Sequence, residues 1–119
     1  MRMWVAALAL SCALPAGVAA QGTYPARPVT IVVPASPGGV TDMLGRTLAQ
    51  RFTDAWGQQA VVENKPGANN QIAAEYVTNA APDGYTLLIG PETTFVVNPS
   101  LYPKLPYDPV KGFTPHYRF

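Results

Sequence analysis

The chain has one cysteine, Cys12, and one histidine, His116. No internal disulfide can form from a single thiol, and no Cys/His cluster can hold zinc. Charge of neither sign predominates: eight Lys and Arg stand against seven Asp and Glu, and without Arg2 the two balance. A neutral surface lacks the electrostatic footprint of a nucleic-acid binder or of a protein drawn to an anionic membrane. Long apolar runs are missing as well. A spanning helix needs about 20 apolar residues, whereas the longest run, residues 4–14, has 11. No fixed repeat or low-complexity stretch occurs, and the 13 prolines are spread among loops.

Signatures of catalysis are equally scarce. Ser36 is not in a GxSxG elbow, and His116 lies three residues from the end with no partner pattern. The carboxylates Asp42, Glu63, Glu75, Asp83, Glu92 and Asp108 show no metal-loop spacing. GxGxxG and the Gly-Lys-Ser/Thr of a Walker loop are both absent. An enzyme, a metal and a cofactor are therefore not expected.

What is present begins with a leader. Met1-Arg2 supplies a positive start, residues 4–14 the apolar core, and Val18-Ala19-Ala20 a small-residue site before Gln21. These are the three parts of a secretory signal peptide, with cleavage expected after Ala20 and no membrane insertion afterwards. Cys12 falls in the part removed. A lipoprotein signal is not matched, because Ala9 stands where leucine is wanted. Residues 21–119 suffice for one small domain and not for two.

Within that domain the sequence reads as alternating strands and helices. Val29, Ile31, Val32 and Val33 form an apolar, β-branched run, the pattern of a strand covered on both faces, and Pro34 ends it. A turn through Ala35, Ser36, Pro37, Gly38 and Gly39 leads to a helix over 42–55, with Thr41 or Asp42 as N-cap and Gly57 as the stop. Leu44, Leu48 and Phe52 recur at i, i+4 and i+8 and are expected to face the sheet. A second strand over 60–63 precedes a loop containing Gly67, Asn69 and Asn70, then a helix over 71–80 anchored by Ile72, Tyr76 and Ala80 with Ala73 and Val77. Pro82-Asp83-Gly84 turns into a third strand over 85–89, stopped by Gly90-Pro91.

Two strand–helix–strand steps in succession predict an α/β fold, a parallel-sheet βαβαβ unit whose loops open on one carboxyl edge. Three donor-rich loops then converge: the Ser36 to Gly39 turn, the Gly67 to Asn70 turn, and Glu92-Thr93-Thr94. Glycine at Gly38 and Gly39 allows positive φ and close approach of a ligand, and the free N–H groups at a helix start suit an anion.

The stretches YPARPVTIVVPASPGGVTD, VVENKPGANN, APDGYTLL and YDPVKGFTP, in this order and spacing, resemble the extracytoplasmic solute receptors of tripartite tricarboxylate transporters, the Bug receptors. The resemblance covers residues 24–115. It implies a periplasmic-binding-protein fold of two α/β domains, a Venus flytrap that closes on a small carboxylate or similar polar metabolite and presents it to membrane permease subunits. It further implies that first-domain ligand contacts come from Ser36, Pro37, Gly38, Gly39 and Asp42, from Gly67, Ala68 and Asn69, and from Thr93 and Thr94. Residues 1–20 are then the signal peptide and 21–119 the N-terminal part of an incomplete first domain, since family members continue well beyond this length. Gly112 stands where the family usually carries an aspartate. A nucleotide- or phosphate-using α/β enzyme fragment, or a small exported βαβαβ domain acting alone, are the alternatives to the receptor.

Overall fold

All five residues of Val29–Val33 (β1) are β-branched and suit a pleated, covered surface. In the computed structural model, which describes residues 22–115, β1 is the middle strand of a three-stranded parallel sheet of order β2-β1-β3. Residues 1–21, which include Cys12 and the expected signal peptide 1–20, and residues 116–119, which include His116, lie outside the described residues. β1 pairs with Ala60–Asn64 (β2) from Val29 opposite Ala60 to Val33 opposite Asn64. Its other neighbour is Thr86–Leu88 (β3), with Thr30 opposite Thr86 and Val32 opposite Leu88. Val29, Ile31, Val32 and Val33 are almost wholly buried. Each contributes about 1.5–3 kcal/mol, so this strand is the anchor of the fold.

The first helix, α1, spans Val40–Trp56 and starts earlier than expected. Gly39 is its N-cap and no side chain caps it; Thr41 and Asp42 lie inside the first turn. The physical reason is that Asp42 reaches backwards, to the Gly38 N–H, instead of forwards to the helix amides. At the other end Gly57 takes the left-handed conformation, φ 67°, and its N–H bonds the Thr53 carbonyl.

The buried side of α1 is also rotated from the expected stripe. Asp42, Gly45 and Ala49 are buried, Leu48 and Phe52 pack partly against the core, and Leu44 is 51% exposed. Gly45 explains the rotation. A Cβ placed there would lie 2.7 Å from Val33 Cγ2, so the helix backbone sits directly on β1, and a leucine could not occupy that position. Small residues set the distance of approach, and larger ones are turned aside.

The same holds for α2, Gln71–Thr78, which packs on β3 and β1 and ends two residues sooner than expected, at a cap formed by Asn79. Ala73 and Ala74 are fully buried, while Ile72 and Tyr76, expected as anchors, are exposed. β3 is shorter than the 85–89 run, although Tyr85 and Ile89 still bond to Thr30 and Val32 of β1 at its ends. After Pro91 the chain forms a π-helical turn, Thr93–Val97, continuous with a short α3, Asn98–Leu101. The sequence did not indicate this helical stretch. β-branched Thr and Val argue against helix, and Pro99 is tolerated because it lies in the first turn of α3. Beyond it, Tyr107 is buried, and Phe113 meets Phe95 and Tyr107 edge to face at 5.2 and 6.1 Å.

Candidate functional site

Because all three strands run parallel, the turns after Val33, Asn64 and Leu88 emerge at one edge of the sheet. Ser36, Pro37, Gly38 and Gly39 form the first of these turns and are exposed. Only one of the two glycines needs its freedom: Gly38 has φ +92°, whereas Gly39 is extended at φ −80°. The amides in the first turn of α1 follow directly and have no partner within the helix.

Asp42 holds this turn from behind. Its Oδ2 accepts from the Gly38 N–H and from Arg46 Nε, each at 2.9 Å, and its Oδ1 accepts from Asn64 Nδ2 at 2.8 Å. Asn64 also donates to the Ala35 carbonyl at 2.9 Å, tying the end of β2 to the turn after β1. The hydrogen bond from Arg46, followed by those from the Gly38 amide and Asn64, lowers the Asp42 carboxyl to about 2. Asp42 is buried and ionised, and its charge is offset by Arg46.

The second turn departs furthest from ordinary backbone. Gly67 has φ +117°, and Ala68, Asn69 and Asn70 follow at +47°, +53° and +70°, three left-handed non-glycine residues in succession. Gly67, Ala68 and Asn69 are exposed. In the third segment Thr93 is partly buried, and Thr94 is 1% exposed with no hydrogen-bond partner for its Oγ1. A buried hydroxyl without a partner is uncommon. Asn69 and Asn98 bond to each other, which joins the second turn to the third segment.

The structure thus brings the expected residues to one edge in two tied groups: Ser36, Pro37, Gly38, Gly39 and Asp42 with Asn64, and Gly67, Ala68 and Asn69 with Thr93, Thr94 and Asn98. Asn64, Asn98 and Tyr107 were missed. Asn64 and Tyr107 lie inside stretches that carry the family resemblance, and Asn98 precedes a proline, a pattern that reads as a turn. Two shallow, open depressions among the described residues are lined by other residues, one by Pro99, Tyr102 and Pro106 and one by Ile72, Tyr76 and Ala80. Among the described residues no three His, Cys, Asp or Glu gather as metal ligands, and no helix is long and apolar enough to cross a membrane.

The same parallel α/β unit occurs in known proteins. BugT of Bordetella pertussis is 41% identical over 104 residues, covering 84% of this chain and 32% of that protein. MatC from Rhodopseudomonas palustris, solved with bound malate, superimposes with a TM-score of 0.73 at 43% identity, over 77% of this chain and 31% of MatC. The periplasmic binding protein BugD superimposes at 0.71 with 43% identity, over 76% and 30%. The chain therefore spans about a third of the length of these relatives. The family model described as tripartite tricarboxylate transporter family receptor matches residues 44–117. On this match, and on the shared parallel α/β unit, the chain belongs to the tripartite tricarboxylate transporter receptor family.

Proposed function

We propose that residues 21–119 supply the ligand-receiving edge of the first domain of a periplasmic solute receptor, exported by residues 1–20, which takes a small carboxylate and serves the membrane permease of a tripartite tricarboxylate-type transporter. The observation that carries this reading is the convergence of three donor-rich turns at one edge of a parallel sheet, in a chain similar to a malate-bound protein. The chemistry is simple binding. First-turn amides of α1 and the positive end of its dipole attract a carboxylate, and the Asn69 amide and the Thr93 and Thr94 hydroxyls satisfy its oxygens. We place Ser36, Pro37, Gly38, Gly39, Gly67, Ala68, Asn69, Thr93 and Thr94 at the ligand and Asp42 behind the first turn.

A chimera tests the proposal. Residues 24–115 replace the matching segment of MatC, and calorimetry follows malate, succinate and adipate. Binding of at least one dicarboxylate is expected, and a folded chimera that binds none refutes the reading. Export is checked separately: in a Gram-negative host the periplasmic product should begin at Gln21, and an intact mass that retains Met1 excludes the assigned cleavage.

A further inference from the structure

Asn98 is wholly buried, and it belongs to none of the turns expected to touch a ligand. Its side-chain amide is nevertheless the junction between two of them. Nδ2 donates to the Asn69 carbonyl at 2.8 Å and to the Tyr107 hydroxyl at 3.2 Å, and Oδ1 accepts from Asn69 Nδ2 at 2.7 Å. The Tyr107 hydroxyl in turn donates to the Thr94 carbonyl at 2.6 Å. A primary amide has two N–H donors and one carbonyl, so both Asn98 hydrogens are engaged.

The partner of this amide is a strained turn. Ala68, Asn69 and Asn70 are all left-handed, a conformation that L residues visit singly and seldom in a row. Asparagine tolerates it best when its side chain bonds within its own turn. Here the Asn69 side chain instead pairs with Asn98, 29 residues away, so that beside the internal bond from the Asn70 N–H to the Gly67 carbonyl the side-chain support for the turn comes from outside it.

We propose that Asn98 is the positioning residue of the second and third turns. Through its amide it holds Ala68–Asn70 in the left-handed form, and through Tyr107 it fixes the Thr94 carbonyl, so that the two turns meet a ligand as one preset surface. The ligand part of this inference rests on the receptor reading, and the geometric part stands apart from it.

The test uses the isotope-labelled full chain in solution. In the unaltered protein, the Asn98 side-chain amide protons should exchange at least about 10-fold more slowly than those of exposed amides, as buried hydrogen-bonded groups do. Ala68, Asn69 and Asn70 should show the strong intraresidue HN–Hα contacts of positive φ. Asn98→Ala should abolish that signature while β1 and α1 resonances stay in place. Tyr107→Phe should keep it and speed exchange of the Asn98 amide alone. Exposed-like exchange of Asn98 in the unaltered chain overturns the proposal, as does a left-handed signature that survives in Asn98→Ala. Should Asn98→Ala fail to fold, the unaltered chain and Tyr107→Phe decide by the same readouts. In the MatC chimera, Asn98→Ala should weaken malate binding about 10-fold, the loss of one to two hydrogen bonds' worth of positioning. Unchanged affinity there removes the positioning role, whereas a chimera that binds no dicarboxylate, beside a chain with protected amides, removes the receptor reading and leaves the geometry standing.

Discussion

Replacing Gly45 by alanine sets two well-characterised effects against each other. In an exposed helix interior, Gly→Ala stabilises by about 0.8–1 kcal/mol. In α1 the new methyl would sit 2.7 Å from Val33 Cγ2, 3.4 Å from Ile89 Cδ1 and 3.7 Å from Val62 Cγ2. The first contact is far inside normal packing distance, and Val33 has little room to respond. It is fully buried in the central strand, and its β-branched side chain has a single χ1 to adjust. Overpacking of this kind costs about 1–3 kcal/mol, so the clash outweighs the helix gain and a net loss of about 1 kcal/mol is expected. The partner can be removed independently. In a Val33→Ala background the crowding disappears, and Gly45→Ala should become neutral or stabilising, a coupling of about 1–3 kcal/mol. Urea unfolding followed by circular dichroism, run as a double-mutant cycle, reads all four proteins. A Gly45→Ala chain more stable by the full helix increment, or a cycle additive to within about 0.5 kcal/mol, would refute the close docking of α1 on β1.

Asp42 titrates at about 2 in the folded chain against an ordinary 3.8. Its stabilising effect is complete above the unfolded value and is lost as pH falls through the folded one, so the gap in melting temperature between the parent and Asp42→Asn should close between pH 4 and pH 2; a gap independent of pH contradicts the assigned hydrogen bonds. Gly38→Ala should cost about 1–2 kcal/mol because φ is +92° there, while Gly39→Ala, at φ −80°, meets no backbone strain and should cost only the N-cap preference for glycine over alanine, about 0.5 kcal/mol. Equal effects in denaturant titrations would reverse the assignment of the strained glycine.

Local chemistry made much of the architecture legible in the sequence. The β-branched run of β1, the turn residues after each strand and the Gly57 stop are decided by neighbours in the chain, and the parallel order follows from strand–helix–strand alternation. Ala73 was on the expected face of α2, but the full rotation of the helices was not legible, because hydrophobic periodicity ranks Leu44 above Gly45 and Ile72 above Ala74. Close helix-to-sheet docking selects the small residues instead. The helical stretch from Thr93 to Leu101 was hidden by residue types that favour strands. The three turns at the sheet's carboxyl edge were legible by composition, but their supports were not: Asn64 lies 22 residues from Asp42 and Asn98 lies 29 from Asn69, and no local pattern announces an amide that pairs across such distances.

These supports explain how turns at an exposed edge can hold a fixed shape. Ser36 to Gly39 and Gly67 to Asn69 are solvent-facing and offer almost no apolar surface to bury, so packing of the kind that fixes β1 is not open to them. Backbone entropy of about 1–2 kcal/mol per ordered residue has to be met by other means. Each turn is accordingly tied by a buried polar side chain behind it. Asp42 bonds the first turn and Asn64 at once, and Asn98 bonds the second turn and Tyr107. The choice of groups also suits an anion. A bare carboxylate at the start of α1 would repel a second carboxylate, but Asp42 is covered by three donors, one of them its ion-pair partner Arg46. The neutral Asn98 adds no charge at all. The residues that tie the turns therefore place no uncompensated negative charge behind them.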